Sequence, residues 1–228
     1  MKRQLLRFKK KLVYALIISV FVTGILPTPI SVTTYAKSKV VTSKLKSKSG
    51  IKNICKYSNM YVQVMAELGT KKKTISKMTE NSKANLLCMA IAGMYNESFI
   101  SSERLNEGLH RAIKVNPFKK QYKKLYGNYP NLNKINISNQ VVKKNNGKIY
   151  VGLGDWGEGD YPVYKISKIV KTGSKKYTIT VKNQKTDYDT GKRYTIGTTT
   201  IKIKASKNSS YGYIITGIKY QITSNMYY

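Results

Sequence analysis

The hydrophobic repeat along this chain changes from a helical to a strand period near Gly127, and that switch limits the folds open to it. Ile54, Tyr57, Tyr61, Val64 and Leu68 recur at alternating three- and four-residue steps, which puts them on one helical face. Gly69 follows as a C-terminal stop. Ile75, Met78, Ser82, Leu86, Met89 and Gly93 carry a second helical stripe with Thr74 as its N-cap. Leu87, Ala90, Ile91 and Met94 widen that stripe, so this helix is expected in the core. A third helix is expected from Ser101 or Ser102 through Leu105, Leu109, Ala112 and Ile113. Asn116 and Pro117 read as the cap and first residue of a fourth, which carries Phe118, Tyr122 and Leu125 and ends at Gly127.

Beyond Asn128 the period falls to two. Strands are expected over 148–153, 161–170, 177–181, 193–204 and 211–223, with turns at 172–174 and 187–191. In the last strand Ile214, Ile218, Tyr220 and Ile222 are assigned to one face. The alternation slips between Ile196 and Ile201, and Gly197 marks a bulge there. Consecutive strands joined by short turns form an antiparallel meander. The expected fold is therefore α+β: a layer of about four helices over 51–127, packed on a sheet over 140–223, in a single domain spanning 51–228.

The N-terminus reads as an address. Lys2, Arg3, Arg7, Lys9, Lys10 and Lys11 precede an apolar run from Leu12 to Leu26, Pro27 and Pro29 end it, and Thr34-Tyr35-Ala36 offers small residues for cleavage. This is the layout of a secretory signal peptide over 1–36, cut after Ala36. The alternative is an uncleaved membrane anchor, although fifteen helical residues reach only about 22 Å of a ~30 Å hydrocarbon core. Residues 37–50, rich in Ser and Lys, read as a flexible leader.

Charge narrows the partners. The chain has 42 Lys+Arg against 10 Asp+Glu, a formal +32; loss of the six leader cations leaves +26. In that remainder only Arg104, Arg111 and Arg193 are arginines. Base and phosphate recognition recruits the planar guanidinium fork, whereas lysine acts as a point charge. Specific nucleic acid is thus not expected. The expected partner is a diffuse anionic one, an envelope or matrix polymer or lipid head groups.

The chemistry-bearing residues are few. One His and two Cys exclude a His- or Cys-rich metal centre, and no fingerprint calls for a cofactor. The densest segment, 152–160, holds four Gly, the single Trp156, and Asp155, Glu158 and Asp160. These carboxylates can ligate Ca²⁺ and Trp156 can stack on a sugar ring, or the segment is a structural loop with Trp156 as its plug. Asp187, Asp189 and Gly191 read as turn residues. His110, placed one turn after Asn106 on the third helix, is the sole neutral-pH base, and no nucleophile motif accompanies it. Cys55 and Cys88 either form a disulfide, which contributes ~3.7 kcal/mol in the chain-entropy estimate, or remain two buried thiols. The bridge is the expectation in an exported chain.

Gly154-Asp155-Trp156-Gly157-Glu158, the Lys/Tyr-rich meander, and Tyr211-Gly212-Tyr213-Ile214-Ile215 with Ile218-Lys219-Tyr220 resemble uncharacterised secreted proteins and lipoproteins of low-GC Gram-positive bacteria. The resemblance spans roughly 51–223 and implies a strongly curved sheet, similar to the cone-shaped cystatin-like or nuclear-transport-factor-like layout. That layout hosts both ligand-binding modules and enzymes, and no catalytic position of the enzymes has a counterpart here. The expected function is a non-enzymatic, exported binding module at the envelope. The alternative is a small-ligand-binding protein or hydrolase with a cone-shaped pocket near 152–160.

Overall fold

A computed structural model describes residues 38–106, 108–153, 163–186 and 190–223. Among them are four α-helices: α1 (Thr42–Leu45), α2 (Ser49–Glu67), α3 (Glu80–Gly93) and α4 (Val115–Tyr126). Ten strands form two antiparallel sheets, so the fold is mixed α+β. The larger sheet joins β1 (Lys39–Val40), β7 (Val163–Gly173), β8 (Lys176–Thr186), β9 (Arg193–Ala205), β10 (Tyr213–Ile222) and β2 (Lys72–Ile75), in that order. The smaller joins β3 (Ile100–Arg104), β4 (His110–Ile113), β6 (Lys148–Gly152) and β5 (Val142–Asn145).

Helix α2 buries Ile54, Tyr57, Tyr61 and Val64, the stripe set by their spacing, and contacts β7, β9 and β10. Helix α3 is buried continuously from Leu86 to Ala92 because α2 packs on one side and β5 and β6 on another. Gly69 and Gly127 stop α2 and α4 at φ +83° and +82°, a left-handed conformation in which a side chain is strained. The larger sheet turns Ile169, Ile179, Val181, Ile201, Ile203 and Ile215 into the core. The expected bulge is present: Asn183 opposes Gly197 and Gln184 opposes Thr195, which leaves Ile196 extra.

Several expectations are overturned. The third helix does not form; its segment makes β3 and β4, and Leu109 lies outward, 70% exposed. Its i, i+4 spacing is outweighed by pairing of 110–112 with 150–152, a partner distant in sequence. Thr74 caps no helix but pairs with Lys219 in β2, and α3 starts later under Thr79, whose Oγ1 accepts the Ser82 N–H at 3.2 Å. Helix α4 begins at Val115 without a side-chain cap, so Asn116 lies inside it; Pro117 remains in the first turn, where its missing N–H has no acceptor to lose. The helical half thus holds three strands and is not segregated from the sheets.

The leader is also folded rather than flexible. Lys39 and Val40 pair with Lys171 and Val170, Thr42 Oγ1 accepts the Ile169 N–H at 2.8 Å, and Leu45 is buried. The domain therefore starts ahead of 51, and one compact unit spans Lys37–Tyr228. In β10 a second bulge at Thr216 shifts the phase, so Tyr213 and Ile215 share the buried face with Ile218, Tyr220 and Ile222, while Ile214 points the other way.

Candidate functional site

Strand alternation gives the larger sheet a second face of one chemical character. Lys182 and Thr180 alternate with buried Val181 and Ile179, Lys202 and Lys204 with buried Ile201 and Ile203, and Lys219 and Gln221 with buried Ile218, Tyr220 and Ile222. Register aligns them across strands. One row runs Lys165–Lys182–Thr198–Gln221–Lys72, and the next Lys168–Thr180–Thr200–Lys219–Thr74. The residues that carry these side chains thus repeat at about 4.8 Å across strands and about 6.8 Å along them.

No carboxylate stands among these rows among the described residues, where the ion pairs lie elsewhere, Lys83–Glu80 and Lys148–Glu103. Lys165 opposes Lys182 and Lys176 opposes Lys204, and like charges directly opposed across strands are destabilising. The face is consequently arranged against its own folding energy. The large apolar side chain exposed on it, among the described residues, is Val40 at the β1 margin.

A second feature lies on the helix side of β2. A cleft of about 290 Å³ is bounded by Lys73 of β2, Tyr61 of α2, Asn81 and Asn85 of α3, and Asn136 and Asn139 of the segment leading to β5. Ile75 and Ile137 add apolar wall. Asn81 and Asn85 are one turn apart and hold that segment: Asn81 Oδ1 accepts the Asn136 N–H at 2.8 Å, and Asn139 Nδ2 donates to Asn85 Oδ1 at 3.0 Å. Asn139 is fixed in turn, its Oδ1 accepting the N–H groups of Val141 and Val142, both at 2.9 Å. Tyr61 is fully buried, edge-on to Tyr220 with ring centroids 6.1 Å apart. Neither hydroxyl has a hydrogen-bond partner among the described residues. Burial pushes the Tyr61 phenol up to about 12, and neighbouring Asn85 offsets part of that rise. Leaving a buried hydroxyl unsatisfied costs about 1–3 kcal/mol.

A broader groove of about 470 Å³ lies along Lys119, Tyr129, Asn131 and Leu132. One face of its exposed Tyr129 ring is already taken by Lys123 Nζ, 4.6 Å from the centroid.

The residues singled out by sequence fare differently. Asp155, Trp156, Glu158 and Asp160 lie outside the described residues, as do Asp187 and Asp189. His110 stands on β4, not on a helix, and its Nε2 is 3.0 Å from Gln140 O, a tie between β4 and the neighbouring loop. Cys55 and Cys88 are separate buried thiols rather than the expected bridge. Cys55 lies near Tyr164 of β7 and Cys88 near Tyr126 of α4. Burial raises both, Cys55 to about 12, so neither is a thiolate at neutral pH. Among the described residues no three His, Cys, Asp or Glu gather for a metal ion, and no helix is long and apolar enough to cross a membrane. The lysine rows were readable as the polar half of each alternation; the asparagine cleft, assembled from segments about fifty residues apart, was not.

Comparison with protein-family models, curated proteins and solved structures returned no match.

Proposed function

We propose that this chain is an exported binding module whose larger sheet docks a linear anionic polymer of the cell envelope. The observation that carries the reading is the run of Lys and Thr rows without a described carboxylate, with like charges opposed at Lys165/Lys182 and Lys176/Lys204. An anionic chain laid over those rows relieves the repulsion and bonds both ammonium and hydroxyl groups. A bilayer is the weaker fit, since Val40 alone offers an exposed large apolar anchor on this face among the described residues. The lysine-dominated charge and the signal-peptide layout of 1–36 support action outside the cell.

The finer layout belongs to the same proposal. The larger sheet curves around α2, as the resemblance to cone-shaped folds implies; extra residues at Ser167, Ile196 and Thr216 supply the bending, and α2 contacts β7, β9 and β10.

Retention on immobilised polyphosphate tests the docking surface. The protein binds and is released by about 0.5 M NaCl, where screening shortens to a few Å. Replacing Lys168, Lys182, Lys202 and Lys219 together by Gln weakens binding at least about tenfold. A control with the same charge loss, Lys52, Lys56, Lys120 and Lys124 to Gln, weakens it much less. Equal losses mean that only net charge acts, and salt-resistant binding, or tighter binding to anionic vesicles than to polyphosphate, overturns the reading.

A further inference from the structure

The asparagine cleft and the lysine rows share one strand. In β2, Lys72 and Thr74 stand in the rows of the outer face, whereas Lys73 and Ile75 line the cleft behind. Sheet order leaves β2 at the open margin, so a chain crossing the rows meets the cleft as it passes over that edge. Among the described residues the cleft lining combines carboxamides, hydroxyls, two isoleucines and one ammonium, with no carboxylate. Asn81 and Asn85 rise from the first turns of α3, the positive end of a fourteen-residue helix. Glu80 of that turn is engaged elsewhere, accepting from Tyr122 at 2.7 Å and Lys83 at 3.1 Å. A second observation is independent of the helix end: fully buried Tyr61 belongs to the cleft lining and keeps its hydroxyl without a partner among the described residues.

We infer that this cleft is a binding site for a single sugar unit bearing one anionic group, with that group at Lys73 and the ring hydroxyls on Asn81, Asn85 and Asn136. The volume is near the lower limit of ligand pockets, about 300 Å³, which suits one ring. With their Oδ1 atoms already accepting from Asn136 and Asn139, Asn81 and Asn85 offer their Nδ2 groups as donors to sugar hydroxyls. Asn139 acts differently, holding Asn85 by its amide while its own oxygen is occupied by backbone. The inference rests on the polymer reading in one respect: it names the unit of the polymer that is recognised, where the lysine rows supply attraction alone.

Monosaccharide titrations followed by Asn side-chain amide shifts in NMR test it without help from polymer avidity. Glucuronate and glucose 6-phosphate are the anionic probes and distinguish a carboxylate from a phosphate source; N-acetylglucosamine and inorganic phosphate are the controls. At least one anionic sugar shifts the amides of Asn81, Asn85 and Asn136 saturably, and both controls bind at least about tenfold more weakly. Lys73→Gln, at an exposed position that leaves the fold intact, weakens the anionic sugar about tenfold. Asn85→Ala weakens it further. The four-lysine variant of the sheet face leaves it unchanged, so a failure of the polymer reading and a failure of this one are separable. Absence of saturable shifts with both anionic sugars, equal binding of N-acetylglucosamine, or indifference to Lys73→Gln overturns the inference.

Discussion

Glu67 closes α2 as a half-buried carboxylate, and its Oε2 is buried without a partner. Burial pushes it up to about 7, only partly countered by a hydrogen bond from Gln63. A folded state that binds this proton more tightly than the unfolded chain is stabilised at low pH and loses that contribution as pH rises. The window runs from about 4.5, the ordinary value, to about 7. Glu103 has the opposite sign: hydrogen bonds from Lys148 and Tyr150 hold it below the usual carboxylate range, so its contribution is lost only as pH falls further. At Glu80 burial works upward, but bonds from Tyr122 and Lys83 outweigh it and the net direction is down. Urea unfolding at pH 4.5, 6 and 8 separates them. Wild type loses stability between pH 4.5 and 8 relative to Glu67→Gln; parallel profiles show that the carboxyl is solvated.

Element by element, the chain was most legible where one segment carries its own pattern. The α2 stripe, the α4 stop at Gly127 and the Ile196 bulge all follow from local spacing. It was least legible where a partner decides. The segment 101–113 has helical spacing, yet β3 and β4 form because β6 offers a ladder that no local window contains. Likewise Lys72–Ile75 is a strand because β10 lies beside it, although Ile75 and Met78 are in helical phase with α3. The β9 bulge also allows a sharp test. A Cβ on Gly197 collides with the Gln221 carbonyl oxygen and with Ile222 Cα at 2.7 Å, both backbone atoms of β10. Gly197→Ala therefore destabilises by about 1–3 kcal/mol, the usual range for overpacking, read as a lower urea midpoint. An unchanged midpoint shows that β9 and β10 are not in close register at this bulge.

Across the molecule, both margins of the larger sheet come from the N-terminal half: β1 pairs with β7 and β2 with β10, while the hairpin-linked β7, β8, β9 and β10 fill the middle. The four consecutive strands are thus not a self-sufficient unit, and their edges are paired through contacts between residues more than a hundred positions apart, such as Thr42 with Ile169. For the proposed signal peptide this sets a physical limit on the cleavage point. Cleavage after Ala36 leaves Lys39, Val40, Thr42 and Leu45 in place, whereas a cut beyond Val41 removes β1. Removing the segment through Leu45 exposes the edge of β7 and empties the position of a leucine that is 5% exposed. Leucine truncations in cores cost about 2–5 kcal/mol. A chain beginning at Lys46 is accordingly at least about 2 kcal/mol less stable in urea than one beginning at Lys37. Under the export proposed above, the N-terminus of the processed chain, read by intact mass, is expected at or before Lys39. Equal stability of the two chains, or a processed chain starting beyond Leu45, would show that β1 and α1 are no part of the stable folded unit.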